Sequence, residues 1–425
     1  MSPLYQIYLE QRRRVFTDSR KPIEGGIFFA LKGDHFNGNA FARQTLDAGA
    51  AYAVVDEDVG EDKRLIKVPD VLKALQDLAR ENRRLCSAKI IGITGTNGKT
   101  TTKELCLHIF SRRFNTLATE GNLNNHIGLP LTLLRLTEET EFAFIEMGAN
   151  HPGDIKELCS IAEPDAGLIT NIGKAHLEGF GSQFGILKTK FELFDYLDAH
   201  QGISFYQFND SLIYSKYIES PLHISYGDSD DCPNAKIRTK LIQELPEIKM
   251  KFDNHIFTSS LFGKYNYYNL SSACSLAHYF GVDASIIGEG IAEYVPGNMR
   301  SQWTSYRNCK ILLDAYNANP TSMQVALEAF ARMEAPCKWV ILGEMAELGN
   351  DAQAEHDHLM EWVIQKEFDQ CIFIGEQYHL QKPSRRIQQF QTLQDAKIWL
   401  QKNWPDQALM FIKGSRSSAM EQIIR

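Results

Sequence analysis

One segment constrains the fold of this chain more than any other, an apolar run that leads directly into a glycine-rich turn. The run is Lys89-Ile90-Ile91-Gly92-Ile93-Thr94, and Gly95-Thr96-Asn97-Gly98-Lys99-Thr100-Thr101 follows it. The next residues, 101–110, have a helix-like pattern. A continuous apolar run indicates a buried strand, and a strand, a turn and a helix in this order form the unit from which parallel sheets are built. The segment therefore predicts an α/β fold.

The turn has the composition of a phosphate-binding loop. Backbone N–H groups converge in such a turn, and the helix that follows adds the positive end of its dipole. Lys99 can reach the outer phosphates of a nucleotide, and the Thr100 hydroxyl can hold Mg²⁺. Because position 93 is Ile93 and not glycine, the match is to the shorter pattern GTxGKT. The loop predicts a bound nucleotide without distinguishing a kinase, a switch, a motor or a ligase.

Length and patterning predict three domains. The chain has 425 residues, enough for two or three domains of about 150 residues each. Residues 1–86 hold short β-like runs and a closing helix at 71–85, and residues 87–297 hold the continuous apolar strands. In residues 298–425 the apolar runs lead into glycine, as in an open α/β sheet that binds ligands beyond the carboxyl ends of its strands. Residues 209–258 show no clear pattern.

Charge and cysteine spacing exclude several classes of protein. Lys and Arg total 45 and Asp and Glu total 53, so the net charge of −8 argues against a nucleic-acid partner, which requires clustered cations. The eight cysteines stand about twenty or more residues apart, without zinc-site spacing, and we expect them to be reduced and buried. No apolar run approaches the ~18 residues of a membrane span, and residues 1–10 lack a signal-peptide core. We therefore expect a cytoplasmic protein without stable membrane insertion, and a monomer.

Two polar residues follow strands that are predicted to lie beside the loop. Glu146 ends the strand 142–146, so it is expected at the carboxyl edge of the same sheet, where it could bind Mg²⁺ or be a solvated strand end. His176 follows the strand 166–170 at that edge, although a lone histidine is more often structural.

The remaining polar candidates are less specific. Asn124 and Asn125 lie in an unusually amide-rich turn, and amides bind phosphate oxygens but also build turns. Lys190 has the composition of a solvated helix lysine, and Arg300 and Asp314 could be ordinary surface charges.

Longer motifs extend over almost the whole chain. They are TDSRK at 17–21, GGIFFALKG at 25–33, GTNGKTTTKE at 95–104, GNLNNHIGLPLTLL at 121–134, EMGANHPGDI at 146–155, NIGKAHLEGFGS at 171–182, GKYNYYNLSSA at 263–273, DAYNANPTSM at 314–323, LGEMAELG at 342–349 and KGSRSSAME at 413–421. Together they resemble the Mur ligases of peptidoglycan synthesis. The GTNGKT loop is common to that superfamily, whereas the amide-rich turn and the DAYNANP motif resemble the members that add D-alanyl-D-alanine.

The resemblance implies three domains that bind, in order, the UDP end of a sugar nucleotide, ATP, and the incoming amine, the last of them Rossmann-like. It implies ATP contacts from Gly95, Thr96, Asn97, Gly98, Lys99, Thr100, Thr101, Asn266, Asn269, Arg300 and Asp314. It implies substrate contacts from Ser19, Arg20, Asn124, Asn125, Tyr316 and Asn317. The implied Mg²⁺ ligands are Thr100, Glu146, His176 and a carbamylated Lys190, and the implied catalytic residues are Lys99, Glu146, His176 and Lys190.

Three positions depart from the pattern of these ligases. Tyr265 stands where the family usually has histidine, Phe184 where glutamate is common, and Glu344 where aspartate is more usual. No expected catalytic atom is lost by these changes, and Tyr265 lies beside the residues expected to contact adenine.

The activity that the resemblance implies is the ATP-dependent joining of D-alanyl-D-alanine to UDP-N-acetylmuramoyl-tripeptide, with ATP and Mg²⁺ as cofactors. A carboxylate does not condense with an amine in neutral water, because oxide is a poor leaving group, and phosphorylation to an acyl phosphate supplies a better one. Two alternatives stay open. The first is another amino-acid-adding Mur ligase or a folylpolyglutamate-type ligase, and the second is a binding protein in which the loop acts as a nucleotide switch.

Overall fold

The computed structural model describes residues 1–173, 177–381 and 384–425, and among these the side chains of Leu177 and Glu178 are left out of account. Within the described residues, three sheets follow one another along the chain, with strands inside 15–67, 89–259 and 302–413. A two-stranded hairpin accompanies the first sheet. Helices separate most of the parallel strands, so the predicted α/β class is confirmed.

The first sheet has four parallel strands in the order β1-β2-β5-β6. The elements of this part are α1 (Pro3–Glu10), β1 (Val15–Phe16), β2 (Ile27–Phe29), β3 (Lys32–Gly33), β4 (Phe36–Asn37), α2 (Ala42–Asp47), β5 (Tyr52–Val55), β6 (Leu65–Lys67) and α3 (Val71–Leu85). Helix α3 begins where Asp70 caps its first turn by accepting the N–H of Lys73. Its buried face includes Leu75 and Leu78, which have the spacing of one helical stripe.

The central sheet has nine strands in the order β15-β14-β13-β12-β11-β10-β7-β9-β8. Its elements are β7 (Lys89–Thr94), α4 (Lys99–Phe110), β8 (Thr116–Ala118), α5 (Gly128–Leu133), β9 (Phe142–Glu146), α6 (Asp154–Ala162), β10 (Ala166–Ile169), α7 (Leu177–Phe180), α8 (Gln183–Ala199), β11 (Ile203–Gln207), α9 (Ser211–Tyr214), β12 (His223–Asp228), β13 (Ile237–Gln243), β14 (Ile248–Phe252), β15 (His255–Ser259), α10 (Lys264–Tyr279) and α11 (Ala284–Glu293). The strands from β8 to β13 pair in parallel, and β13, β14 and β15 pair antiparallel. The parallel strands β7, β9 and β10 bring their carboxyl ends to one edge.

The C-terminal sheet has six strands in the order β16-β17-β21-β18-β19-β20. Its elements are β16 (Gln302–Tyr306), β17 (Cys309–Asp314), α12 (Pro320–Ala331), β18 (Lys338–Gly343), α13 (Ala352–Ile364), β19 (Gln370–Ile374), β20 (Ile387–Phe390), α14 (Leu393–Asn403) and β21 (Leu409–Lys413). All its pairs are parallel except the β16–β17 hairpin. Short 3-10 turns lie at Gly38–Phe41, Gly349–Asp351, Arg416–Ser418 and Met420–Ile424.

The first two sheets share one apolar core. Helix α3 packs against α5 and α6, and the cluster of buried side chains runs continuously from Tyr5 and Ile27 to Ile145 and Leu193. Buried hydrogen bonds cross the same joint, since the Tyr8 hydroxyl donates to the carbonyl oxygen of Leu134. Two further clusters fill the two faces of the C-terminal sheet.

The predicted elements differ from the observed ones mainly at their ends. The helix predicted over 101–110 begins at Lys99, because Gly98 takes a left-handed φ of 80° and lets the turn close directly into the helix. Residues 209–258 gave no pattern in the sequence and contain α9 and β12–β15. All eight cysteines are free, and Cys337 is the one that is not fully buried. In the described residues we find no helix with both the length and the apolar character that crossing a bilayer requires.

Candidate active site

The phosphate loop, residues 95–101, has the backbone that its glycines predict. Gly95 and Gly98 have φ values of 142° and 80°, which side-chain-bearing residues rarely adopt. A Cβ at Gly95 would collide with the hydroxyl of Thr170, and a Cβ at Gly98 would collide with the amide of Asn269. The loop is therefore packed between β10 and α10 as well as lying between β7 and α4. Thr101 is buried in the first turn of α4.

Lys99 folds back over this loop. Its Nζ donates hydrogen bonds to the carbonyl oxygens of Gly95 at 2.8 Å and Thr96 at 3.1 Å. Burial lowers the pKa of Lys99, and the charge of Arg300 lowers it further, whereas Glu146 raises it. The ammonium is thus held where the outer phosphates of a nucleotide would lie.

Glu146 lies at the centre of the polar contacts beside the loop. It is 3% exposed, and its two carboxylate oxygens accept hydrogen bonds from Thr100 Oγ1 and from Asn124 Nδ2, each at 2.9 Å. A carboxylate beside a hydroxyl offers hard oxygen donors of the kind that Mg²⁺ prefers. In the part of the chain that the structure describes, no group of three or more His, Cys, Asp or Glu residues could hold a metal. Such a pair fits Mg²⁺ that takes its other ligands from phosphates and water.

Lys190 is buried on α8 in the same region. It is 3% exposed, and its Nζ lies 5.6 Å from the centre of the Phe180 ring. Burial lowers the pKa of Lys190 to about 7, and the charge of Lys99 contributes, while Asp154 and Glu192 oppose the shift. The fourth predicted metal ligand, His176, lies outside the described residues.

The two predicted adenine-side asparagines connect α4 with the start of the C-terminal sheet. Asn269 Oδ1 accepts a hydrogen bond from Thr102 Oγ1 at 3.3 Å, and Asn269 Nδ2 donates to Asn266 Oδ1 at 3.0 Å. Asn266 Nδ2 in turn donates to Ser301 Oγ at 3.3 Å. Both asparagines are buried, so their amides form a fixed chain along one side of the loop.

The connection between the central and C-terminal sheets holds the predicted nucleotide contacts Arg300 and Asp314. The guanidinium of Arg300 stacks 3.9 Å from the centre of the Tyr316 ring. Asp314 accepts the N–H of Ser301 at 3.2 Å through Oδ1, and the Nζ of Lys413 donates to its other oxygen at 2.5 Å. One carboxylate, Asp314, and one ammonium, Lys413, are therefore fixed at the carboxyl ends of β17 and β21. They lie beside the hinge, which is the segment 294–301 between α11 and β16.

The predicted substrate contacts do not all lie together. Ser19 and Arg20 lie between β1 and β2, and Arg20 pairs with Asp18 at 2.9 Å while its side chain is 86% exposed. Asn125 Oδ1 accepts the N–H of Gly128 at 2.8 Å, which begins α5. Asn317 provides a carbonyl oxygen to Lys413 Nζ at 3.2 Å.

Four further residues complete these contacts, and the sequence reasoning missed them: Asn171, Ser301, Asn319 and Lys413. Asn171 binds the loop backbone at Asn97, and Asn319 binds the side chain of Asn97. Asn319 and Lys413 belong to the motifs DAYNANPTSM and KGSRSSAME, which could have pointed to them. Ser301 carries no signal in the sequence, because its role depends on contacts with α10 and β17.

Comparison with known proteins agrees with this arrangement. Residues 93–277 match the family described as Mur ligase middle domain, and residues 299–416 match the one described as Mur ligase, glutamate ligase domain. The UDP-N-acetylmuramoyl-tripeptide–D-alanyl-D-alanine ligase of Bacillus subtilis (strain 168) is 31% identical over 423 residues, which cover 97% of this chain and 92% of that protein. The protein of the same name from Escherichia coli (strain K12) is 32% identical over 436 residues, with the same coverage of both chains.

Solved structures give the same result for the fold. MurF from Acinetobacter baumannii superposes with a TM-score of 0.85 at 29% identity, over 96% of this chain and 92% of that one. MurF ligase from Thermotoga maritima, solved in complex with ADP, superposes with a TM-score of 0.84 at 26% identity, over 100% of this chain and 97% of that one. With these matches extending from one end to the other, the chain belongs to the Mur ligase family.

Proposed function

We propose that this chain is an ATP-dependent ligase that joins D-alanyl-D-alanine to UDP-N-acetylmuramoyl-tripeptide in the synthesis of peptidoglycan precursors. The observation that carries the proposal is the identity of 31% over 97% of the chain with a relative named for this reaction. The positions of Lys99, Thr100 and Glu146 support it, because they supply the charges that phosphoryl transfer from ATP requires.

The reaction begins with the terminal carboxylate of the tripeptide, which attacks the γ-phosphate of ATP to give an acyl phosphate and ADP. The amine of D-alanyl-D-alanine then attacks the acyl carbon, and phosphate leaves. In the first step Lys99 stabilises the negative charge that develops on the phosphoryl oxygens. The loop amides at residues 95–101 hold the phosphates in line with the carboxylate.

Thr100 and Glu146 are the residues that would hold Mg²⁺, since their oxygens lie together and are shielded from solvent. Bound there, Mg²⁺ would neutralise charge on the phosphate oxygens. Asn124 donates to Glu146 and keeps the carboxylate oriented toward the loop. We assign Asn124 to this orienting role in addition to the substrate contact that the sequence suggested.

Lys190 would bind metal only as a carbamate. An ammonium repels a cation, whereas the product of the amine with CO₂ is an anion with two oxygens. Because burial lowers the pKa of Lys190 to about 7, a large fraction of the side chain is the neutral, reactive amine at neutral pH. We therefore propose that Lys190 is carbamylated, with His176 as a further member of this group.

The nucleoside is bound between α10 and the hinge. Asn266 and Asn269 are proposed to contact it from α10, and Arg300 and Asp314 from the hinge and the end of β17; the hydrogen bonds that fix these residues support this assignment. Docking of the C-terminal domain over the phosphate loop excludes water, which would otherwise hydrolyse the acyl phosphate. Ser19 and Arg20 are proposed to contact the UDP end, with Tyr316 and Asn317 near the incoming amine. We expect the reaction to occur in the cytoplasm, where ATP is the phosphoryl donor.

The test is a substrate comparison with the purified chain. Phosphate release is measured with ATP, Mg²⁺ and UDP-N-acetylmuramoyl-tripeptide, and with D-alanyl-D-alanine, L-alanyl-L-alanine, single amino acids or glutamate as the amine. We expect D-alanyl-D-alanine to give the fastest release and a product whose mass is the sum of the two substrates less water. If it is no faster than L-amino acids, the assignment is wrong. Tight ATP binding without ADP formation would instead support a nucleotide switch.

A further inference from the structure

The phosphate loop is held at Asn97 by two domains. The backbone N–H of Asn97 donates to Asn171 Oδ1 at 3.0 Å, and its carbonyl oxygen accepts from Thr170 Oγ1 at 2.5 Å and from Asn171 Nδ2 at 2.9 Å. These partners follow β10 in the central sheet. The side-chain Oδ1 of Asn97 accepts instead from Asn319 Nδ2 at 2.8 Å, and Asn319 lies 222 residues later, in the C-terminal part of the chain. The central domain thus fixes the backbone at Asn97, and the C-terminal domain fixes its side-chain oxygen.

Asn319 is itself immobilised by the helix that it begins. It is the N-cap of α12, where its Oδ1 accepts the N–H of Ser322 at 2.8 Å and its own N–H donates to Ser322 Oγ at 3.1 Å. The side chain is 7% exposed. Because the oxygen is committed to the cap, the direction of the Nδ2 group is set before it meets the loop. One amide therefore joins the first turn of α12 to the phosphate loop.

A second contact brings the same helix turn against the loop. A Cβ placed on Gly173 would lie 3.0 Å from Thr321 Oγ1, so α12 packs directly on this glycine. Gly173 in turn donates its N–H to Thr96 Oγ1 at 3.0 Å. The start of α12 thus reaches Asn97 directly and Thr96 through Gly173.

We propose that Asn319 is a positioning residue for the ligase reaction, which sets the shape of the phosphate loop through Asn97 when the C-terminal domain is docked. This inference rests on the proposed function. The domain expected to deliver the amine is then the same domain that completes the loop. Transfer of the γ-phosphate is favoured in the docked state, so ATP is consumed where the acyl phosphate can meet its amine.

The sharpest variant is Asn319→Ser. Serine is a good N-cap, adds no charge and is too short to reach Asn97, so the variant keeps the helix start and loses the link. We expect kcat/KM for ATP to fall about fivefold to tenfold, the loss that one hydrogen bond of average strength gives. The KM for D-alanyl-D-alanine stays at the wild-type value, ADP formed per peptide product rises, and the melting temperature is unchanged. Asn319→Ala, which also lacks the cap, melts at a lower temperature.

Asn97→Ala removes the other partner and closes a double-mutant cycle. We expect the double variant Asn97→Ala with Asn319→Ser to be no worse than Asn97→Ala alone, because the two residues act through one contact. Wild-type kinetics for ATP in Asn319→Ser, or two losses that multiply, would overturn the inference. If the unmodified chain forms no product with D-alanyl-D-alanine, the proposed function is wrong, and the contact between Asn97 and Asn319 is tested on nucleotide binding instead. The cycle is then run on ADP affinity by calorimetry, where the same non-additivity is expected.

Discussion

At the residue scale, burial changes the chemistry that is expected of the Lys190 side chain. On a helix surface a lysine is a cation, but here apolar neighbours and the nearby charge of Lys99 lower its pKa to about 7. The neutral amine that results is a nucleophile, and reaction with CO₂ would turn it into an anionic oxygen ligand. A residue that the sequence shows as an ordinary helix lysine is thus buried beside Lys99, which supports the proposal that it binds metal as a carbamate.

Replacement of Lys190 by alanine tests this role. We expect phosphate release to fall by about 10²-fold or more, because a group that stabilises the transferring phosphoryl charge is lost. Short carboxylates such as acetate or propionate, or added bicarbonate, should restore part of the rate by supplying the missing anionic oxygens. Lys188→Ala, an exposed lysine on the same helix, is the matched control and should keep the wild-type rate. Wild-type turnover in Lys190→Ala would remove this residue from the site.

The residues of the site differ in how far the sequence could predict them. Lys99 and Glu146 follow from local rules, since a glycine-rich turn and a strand end place them on the same sheet edge. Ser301 and Asn319 could not be predicted in this way, because their roles depend on contacts with residues 35 and 222 positions away. Asn125 was assigned to substrate by resemblance, and the structure shows its side chain beginning a helix.

Among the elements, the antiparallel strands were the hardest to predict. In β13 and β14, buried residues alternate with exposed ones, whereas the parallel strands β7 and β9 are almost wholly buried and read as apolar runs. An alternating strand contains as many polar as apolar residues, so composition alone does not distinguish it from a loop. The parallel pairing of the other strands could be predicted because they are buried on both faces; their order in the sheet was not predicted.

Helix α13 is joined to the loop after β18 by a histidine that must stay neutral. His356 is fully buried, accepts the N–H of Met345 at 2.9 Å through Nε2, and has Nδ1 2.7 Å from the carbonyl oxygen of Ala352. Burial lowers the pKa of His356 below its usual 6.5, against the opposite effects of the Ala352 carbonyl and the nearby carboxylates of Glu344, Asp357 and Glu355. Protonation would remove the acceptor that Met345 requires.

We expect acid to destabilise the C-terminal domain through His356. Since the unfolded chain binds this proton more readily than the folded one, the free energy of unfolding falls as the pH drops below 6.5. In His356→Gln that part of the pH dependence should disappear, at a cost of about 1 kcal/mol at neutral pH. Urea unfolding followed by tryptophan fluorescence at several pH values measures it. His358→Gln, an exposed histidine on the same helix, should keep the wild-type slope, and an unchanged slope in His356→Gln would contradict the argument.

Tyr265 on α10 fixes the hinge, residues 294–301 between α11 and β16. The Tyr265 hydroxyl lies 3.2 Å from Ser301 Oγ, and burial raises the pKa of Tyr265 well above 10, so the hydroxyl keeps its proton. Ser301 has a left-handed φ of 46° and also contacts Asn266 and Asp314. Tyrosine in place of the family's usual histidine therefore still connects α10 to the hinge.

Removing this hydroxyl should weaken ATP binding selectively. In Tyr265→Phe we expect the KM for ATP to rise about threefold to tenfold, the effect of one hydrogen bond, while the KM for D-alanyl-D-alanine is unchanged. Ser301→Ala should have at least as large an effect, and the double variant should resemble Ser301→Ala. Tyr279→Phe, at the other end of α10, is the control. Equal increases in both KM values would show a general loss of structure instead.

At the scale of the whole molecule, the first two sheets are joined to each other more extensively than the C-terminal sheet is joined to them. The first two sheets share a continuous apolar core through α3, whereas the two clusters on the C-terminal sheet are built mainly from residues 298–425, with Phe262 of the central part joining one of them. The C-terminal part contacts the rest of the chain through the hinge and through Phe262, whose ring packs against Trp303. It also does so through a pair between Arg332 and Glu244 and through the contacts of α12 with Gly173 and Asn97. Residues 1–297 should therefore unfold as one cooperative unit, and residues 298–425 as another.

A substitution at Asn82 tests whether the two units unfold separately. It is buried on α3, where its Nδ2 donates to the carbonyl oxygens of Leu133 and Leu136 and its Oδ1 accepts from the Tyr5 hydroxyl. Asn82→Ala removes three buried hydrogen bonds and leaves the Tyr5 hydroxyl without this acceptor, which should lower the free energy of unfolding of this unit by about 2–4 kcal/mol. All five tryptophans, Trp303, Trp339, Trp362, Trp399 and Trp404, lie in the C-terminal unit.

Two optical probes distinguish the two units in one urea titration, because tryptophan fluorescence follows the C-terminal unit alone, whereas far-ultraviolet circular dichroism follows the helices of both units. In Asn82→Ala the part of the circular dichroism change that belongs to residues 1–297 should move to lower urea, while the tryptophan fluorescence transition stays near its wild-type midpoint. Lys73→Ala, at an exposed position of the same helix, should shift neither by more than about 0.5 kcal/mol. An equal shift of both probes would mean that the docked C-terminal domain unfolds together with the rest. The hinge, the Phe262 contact and the α12 contacts would then be strong enough to couple the two units.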